Sequence, residues 1–399
     1  VEQAHRSDAA TAQLVGEVDG MTATRTAGLP ALAATVREGL VDRGVLRPTA
    51  ADIAAVLHDN GGHGDIADMV ESVRDLSREF SGLGDLALPL ADPEVTDVLV
   101  NGPGPVWIDR GRGLEATGLR IRDAHRCRDI AVRLATACGV RLDDARPFAD
   151  GVLTDLPPGV SARAVRVHAV LDPPAGTGVG GACISLRALS ADHRSLRSLQ
   201  TAGLFDGASA DRLHDIVARR RSFLVTGGTG AGKTTLLAAL LAEVPHDQRI
   251  LLIEDTPELF PDHPHVVGLR TRDATGDGAG MIDMRTLVRQ SLRMRPDRIV
   301  VGEIRGAEIA ELLLAFNTGH GGSAGTVHAN GPDALPGRLT ALGALAGIPE
   351  SAVARQVADG VDVVLHVERI AGRRQLAGIG RFALRRGELT VEPVGGALC

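Results

Sequence analysis

Phe223-Leu224-Val225-Thr226-Gly227-Gly228-Thr229-Gly230-Ala231-Gly232-Lys233-Thr234-Thr235 is the stretch that decides the fold. Its first four residues read as a short strand. The next eight satisfy G-x-x-x-x-G-K-T, and the wholly apolar run Leu236 to Leu241 continues as a helix. Glycines let the backbone wrap a phosphate with its N–H groups pointing inward, and a helix beginning near Lys233 adds its positive dipole end. On this reading residues 227–235 bind a nucleotide, Lys233 neutralises its phosphates and Thr234 ligates magnesium, so ATP and Mg2+ are the expected cofactors.

Composition points to the same lysine. Of 43 Lys plus Arg, Lys233 is the one lysine and the rest are arginine. A base-composition bias in the coding DNA accounts for the general trend but not for its single exception. Chemistry accounts for it: a compact ammonium fits between β- and γ-phosphates as a point charge, whereas a guanidinium is planar, wider and fixed in its fork.

Working outward, 399 residues suffice for two or three domains. A net charge of −7 argues against non-specific nucleic-acid binding. Cys127, Cys138, Cys183 and Cys399 are scattered, with no C-x-x-C pair and no disulfide framework, which fits reduced cytosolic thiols. No apolar run approaches the roughly 20 residues that span a bilayer, so a soluble, unexported, cytoplasmic chain with no intrinsic membrane span is expected.

Three regions follow along the chain. Residues 1–85 read as helical: Ile66, Met69, Val70, Val73, Leu76 and Phe80 recur at helical steps behind Asp65, a candidate N-cap. Residues 86–190 read as a smaller α/β domain, with β-type runs Val95 to Val100, Ala164 to Leu171 and Ala182 to Leu186 around a helix near 125–138. Residues 191–200 are the expected hinge. From 201 to 375, strands Phe223 to Thr226, Ile250 to Ile253, Ile299 to Val301, Gly325 to His328 and Val361 to Val367 alternate with helices, which implies a mainly parallel sheet covered by helices. Residues 376–399 read as a C-terminal tail.

Sheet topology delivers acidic groups to the strand ends that face the loop. Asp255 and Glu258 follow Ile250 to Ile253, and Glu303 follows Arg298 to Gly302. Hydrolysis needs one carboxylate to orient water and others to hold the metal shell, so these acids share those roles, Asp255 and Glu303 toward the metal. Gly302 stands where an Asp commonly ends such a strand. His320 and His328 bracket a glycine-rich turn and strand, a pattern suited to sensing the γ-phosphate, although a lone histidine there would be structural.

Gly227 to Thr234, Ile253-Glu254-Asp255 with Glu258, Leu292 to Gly306 and Asn317 to Asn330 together resemble the Walker A, Asp, Walker B and His boxes of type II/type IV secretion ATPases. Upstream, Gly82 to Leu86 and Leu90 to Gly102 resemble the Tad (tight adherence, Flp pilus) branch. The resemblance spans residues 65–370. It implies a RecA-like P-loop domain preceded by a PAS-like α/β domain, assembled as a hexamer on the inner face of the cytoplasmic membrane against a platform protein. It further implies ATP hydrolysis coupled to filament assembly or substrate transfer, with Glu258 activating water, Glu303 supporting the metal site and His320 and His328 as the His box. Arg187, at the end of Ala182 to Leu186, sits where the family's first domain supplies an arginine to the nucleotide; Arg270, Arg272 and Arg305 are further candidates. Two departures stand out. Gly321 follows His320 where an acidic residue is common, and the lack of C-x-x-C separates the chain from zinc-containing type II extension ATPases.

Two motifs are set aside. Gly176 to Gly181 satisfies G-x-G-x-x-G but opens no helix and reads as a hairpin loop. Asp273 to Gly280 mimics a calcium loop, yet Met284 stands at the twelfth position. The rival function, a nucleic-acid-driven motor such as a helicase or a conjugal DNA-transfer motor, is disfavoured by aromatics limited to seven Phe and Trp107, since single-strand motors use stacking platforms.

Overall fold

The computed structural model describes residues 31–45, 48–60, 66–176, 181–190, 195–272, 280–370 and 372–394. Asp65, most of the Gly176–Gly181 motif, most of the Asp273–Gly280 motif and the first half of the expected hinge lie outside them. The chain divides into two compact units, Val1–Ala191 and Asp192–Cys399.

The first unit opens with helices α1 (residues 31–42), α2 (Ala50–Asp59) and α3 (Ile66–Phe80). Thr49 starts α2 through a reciprocal capping box with Asp52. Ala33, Val36, Leu40, Ile53, Val56 and Leu76 form a small core of their own. A six-stranded antiparallel sheet follows: β1 (Asp97–Asn101), β2 (Gly104–Asp109), β3 (Leu114–Ile121), β4 (Phe148–Leu153), β5 (Ala162–Leu171) and β6 (Ala182–Ser190), ordered β3-β2-β1-β6-β5-β4. Helix α4 (Ala124–Ala137), capped by Asp123, buries Cys127, Ile130, Ala131 and Leu134 into the core it shares with this sheet.

The second unit contains α5 (Leu196–Thr201), α6 (Gly207–Ala218), β7 (Phe223–Gly227), α7 (Lys233–Ala242), β8 (Ile250–Glu254), β9 (Val266–Arg270), α8 (Met284–Ser291), β10 (Arg298–Val301), α9 (Ile309–Asn317), β11 (Ala324–His328), α10 (Leu335–Leu345), α11 (Glu350–Gly360), β12 (Val363–Ile370), β13 (Arg373–Arg385) and β14 (Glu388–Pro393). Its eight strands run β14-β13-β12-β7-β11-β10-β8-β9; the six from β12 to β9 are parallel, and β13 and β14 add antiparallel.

Every residue of β7, β8 and β10 is buried, which is why these strands read as unbroken apolar runs rather than alternating ones. One face of the sheet packs with Leu213, Leu236 and Leu240 from α6 and α7. The other packs with Val288, Leu312, Leu339 and Val357 from α8 to α11. Residues 376–393, expected as a tail, complete β13 and form β14, so the sheet continues through them. Helix α5, capped by Ser195, occupies the second half of the expected hinge.

Candidate functional site

Parallel strands deliver their C-terminal ends to one edge of the sheet, and the glycine loop leaves from there. Gly227 ends β7 with φ 152°, and a Cβ on it would sit 2.1 Å from the carbonyl oxygen of Val367 on β12. Only glycine permits that approach. Gly232, at φ 104°, is the residue from which α7 begins. The Lys233 ammonium donates to the carbonyls of Gly227 and Gly228 at 3.0 and 2.9 Å. Burial lowers its pKa and Arg305 adds to that, while the charge of Glu303 opposes it.

Glu303 leaves β10 half-buried and accepts from Arg305 at 2.6 Å. Burial, the largest single effect, raises its pKa, but the Arg305 hydrogen bond and the charges of Arg305, Lys233 and His328 together hold it below the ordinary carboxylate value. The strand end beneath it is tied on both sides. Gly302 N–H donates to Ile253 O at 2.9 Å, Thr326 Oγ1 donates to Gly302 O at 2.6 Å, and Ile304 N–H donates to Thr326 O at 2.8 Å. His328 ends β11 in register with Gly227. Lys233, Thr234, Glu303 and His328 therefore converge at one strand-end edge.

The acids after β8 stand farther along that edge. Asp255 and Glu258 follow β8, which is the third strand from β7 in the sheet order. Asp255 is exposed and Glu258 half-buried. Between them and Gly302 lies Glu254, a buried carboxylate whose Oε1 accepts the N–H groups of Glu258 and Leu259, each at 3.0 Å. Burial pushes its pKa up to about 7; the two N–H bonds oppose this, the charge of Glu258 adds to it, and Arg270 opposes it.

One expected residue of the second unit stands apart. His320 precedes β11 at the opposite end, where the turn it opens packs beside Arg220 and the buried Arg298. Four residue rises, about 13 Å, separate the Phe223 level from the Gly227 level. The His320–His328 bracket thus spans the strand rather than one site. Arg187 belongs to the first unit, inside β6 rather than at its end, and pairs with Asp97, its register partner, at 3.0 Å. Of the further candidates, Arg270 ends β9 and Arg305 pairs with Glu303. Arg272 donates to Gly280 O at 2.7 Å.

Two residues received no individual role from the sequence. Glu254 is one, detectable as the single acid closing an otherwise apolar strand. Arg374 on β13 is the other: its Nε donates to Gly230 O at 3.1 Å and its Cδ lies 3.4 Å from the position of a Gly232 Cβ. No sequence signal separates it from the many other arginines.

The donor set fits magnesium. Mg2+ binds through one or two carboxylates, substrate phosphates and retained waters rather than through an all-protein cage, and among the described residues no group of three or more His, Cys, Asp or Glu is placed to hold a metal ion by itself. A hydroxyl on the first turn of α7 and a carboxylate held ionised at the next strand end but one are the kind of ligands it takes.

Residues 85–373 match the family model described as type II/IV secretion system protein. A candidate conjugal transfer protein of Mycobacterium tuberculosis is 51% identical over 328 residues, covering 82% of this chain and 91% of that protein. The type IV secretion system protein VirB11 of Brucella suis is 32% identical over 307 residues, covering 70% and 82%. The structure of the Legionella pneumophila ATPase DotB superposes with a TM-score of 0.54 at 22% identity, covering 74% of this chain and 79% of that one, a likeness of fold. With its RecA-like unit preceded by a smaller α/β unit, the chain belongs to the type II/IV secretion system ATPase family.

Proposed function

We propose that this chain is a Mg-dependent, ATP-hydrolysing motor subunit that works in a hexameric ring on the cytoplasmic face of the inner membrane, against a platform protein, in Tad/Flp-type pilus assembly. The observation that carries the hydrolytic reading is the sole lysine, folded onto the carbonyls of a glycine loop beside an ionised Glu303. In this reading residues 227–235 hold the triphosphate, with the loop N–H groups and Lys233 neutralising charge that grows as the γ-phosphoryl leaves. Thr234 and Glu303 hold magnesium, which when bound would supply charge neutralisation at the phosphates, and Asp255 acts on its water shell. Glu258 orients the attacking water. His328 senses the γ-phosphate from the end of β11, His320 transmits at the far end of that strand, and Arg187 reaches a neighbouring subunit's nucleotide.

The upstream segments Gly82 to Leu86 and Leu90 to Gly102 favour the Tad branch. Among the described residues no helix is long and apolar enough to cross a membrane. Relatives named for conjugal transfer favour a second reading, a motor for DNA transfer. Steady-state ATPase assays with and without single-stranded DNA separate the two. The pilus reading expects no stimulation, and Glu303→Gln is expected to bind ATP with magnesium yet turn over at least about a hundredfold more slowly. Strong stimulation by DNA would favour the second reading, and wild-type turnover in Glu303→Gln would remove Glu303 from the chemistry.

A further inference from the structure

Glu254 ends β8, whose other four residues, Ile250 to Ile253, are apolar and buried. A carboxylate left there without partners would cost several kcal/mol. It has two kinds of contact, one on each side. Its Oε1 accepts the backbone N–H of Glu258 and of Leu259, which fixes the turn that carries Glu258. Its stem fills the space beside Gly302: a Cβ built on Gly302 would lie 2.7 Å from Glu254 Cγ and 3.1 Å from Oε1. Real Cβ atoms do not come that close to carbon, so any side chain at 302 would push the carboxylate off its two N–H donors. The glycine at 302 and the acid at 254 are two halves of one arrangement. It joins the end of β8 to the end of β10, and Glu303 is the next residue.

We propose that Glu254 is a positioning residue for hydrolysis, clamping the Glu258 turn against the Glu303 strand end so that the two carboxylates keep a fixed spacing. The proposal rests on the reading of Glu258 and Glu303 as the hydrolytic pair. It explains the missing acid at 302: in this chain the room it would take is occupied from the neighbouring strand. The clamp needs an acceptor oxygen of glutamate's length rather than a charge. Burial that favours the neutral carboxyl is consistent with that.

The test uses the full-length protein with four variants: Glu254→Gln, Glu254→Ala, Gly302→Ala and the Glu254→Ala/Gly302→Ala double. Hydrolysis, binding of a fluorescent ATP analogue with magnesium, and thermal unfolding are measured on each. Glu254→Gln keeps length and acceptor and should retain at least about half of wild-type kcat, while Glu254→Ala should lose at least about tenfold, a loss within what ångström-scale misplacement of a catalytic group produces. Nucleotide Kd should stay within about threefold and unfolding should stay cooperative, a split that a general loss of structure would not give. Gly302→Ala should lower kcat by a similar factor in the wild-type background but by less than about twofold in the Glu254→Ala background, because the clash then has no partner.

Wild-type kcat in Gly302→Ala, equal losses from Gly302→Ala in both backgrounds, or Glu254→Gln as impaired as Glu254→Ala would each overturn the clamp. Should Glu254→Ala not fold, Gly302→Ala and Glu254→Gln still decide the matter. A wild-type protein that binds no ATP would instead remove the parent reading, and that is seen before any variant is compared.

Discussion

In the proposed site, Lys233 is the side chain on which the phosphate chemistry would turn. Its ammonium serves two carbonyls 3.0 and 2.9 Å away, which a compact head with three donors can do while still facing the loop interior. A guanidinium in that place would be too wide and could not rotate its donors independently. Lys233→Ala is therefore expected to abolish measurable binding of ATP with magnesium in calorimetry, and Lys233→Arg not to restore it; an arginine variant with wild-type affinity would break the argument. The glycines beside it are not equivalent. Gly227 combines φ 152° with a Cβ position 2.1 Å from Val367 O, so Gly227→Ala must pry β7 from β12 and should cost at least about 3 kcal/mol in urea unfolding. Gly228 has no heavy atom within 4 Å of its Cβ position and no positive φ, so Gly228→Ala should unfold within about 1 kcal/mol of wild type.

Among the strands, β12 brings a titrating group into the sheet next to the phosphate loop. His366 is buried in register with Thr226, and its Nδ1 has no partner among the described residues. Burial lowers its pKa, with the charge of Glu368 partly opposing. The unfolded chain then binds a proton near pH 6.5 that the folded chain refuses, so this contribution to stability is present above that value and is lost as pH falls below it. His366→Gln should consequently lose less melting temperature than wild type between pH 7.5 and 5.5; parallel curves would assign the pH dependence to other groups. The same strands show what was legible beforehand. Central β7, β8 and β10 are buried along their whole length and mostly apolar because both faces are covered, and they were readable to within a residue. The outer strands β3, β9 and β14 are largely exposed or half-buried, show little alternation, and gave no signal; β14 was read as tail. Within the site, the loop and the strand-end acids were legible because their spacing is local. The separation of His320 from His328 was not, because two residues eight apart look adjacent until a strand runs between them. Arg374 reaches the loop through β13, a pairing no local pattern announces.

For the molecule as a whole, the division into two units makes an experimental cut meaningful. Every contact described for the glycine loop, from Val367 and Arg374 to Glu303, lies within Asp192–Cys399, which has its own two-faced sheet and core. Arg187 and the sheet that holds it lie in the other unit. Binding and turnover should therefore separate. A fragment of residues 192–399 is expected to unfold cooperatively and to bind ATP with magnesium within about fivefold of the full chain, since the electrostatics and backbone donors that hold phosphate travel with it. Its hydrolysis should fall by at least about a hundredfold, as expected when an arginine that neutralises the γ-phosphate is removed. Arg187→Ala in the full chain should reproduce much of that loss without changing affinity comparably. A fragment that hydrolyses ATP at the full-chain rate would mean that the second unit is catalytically complete and that Arg187 serves only its ion pair with Asp97.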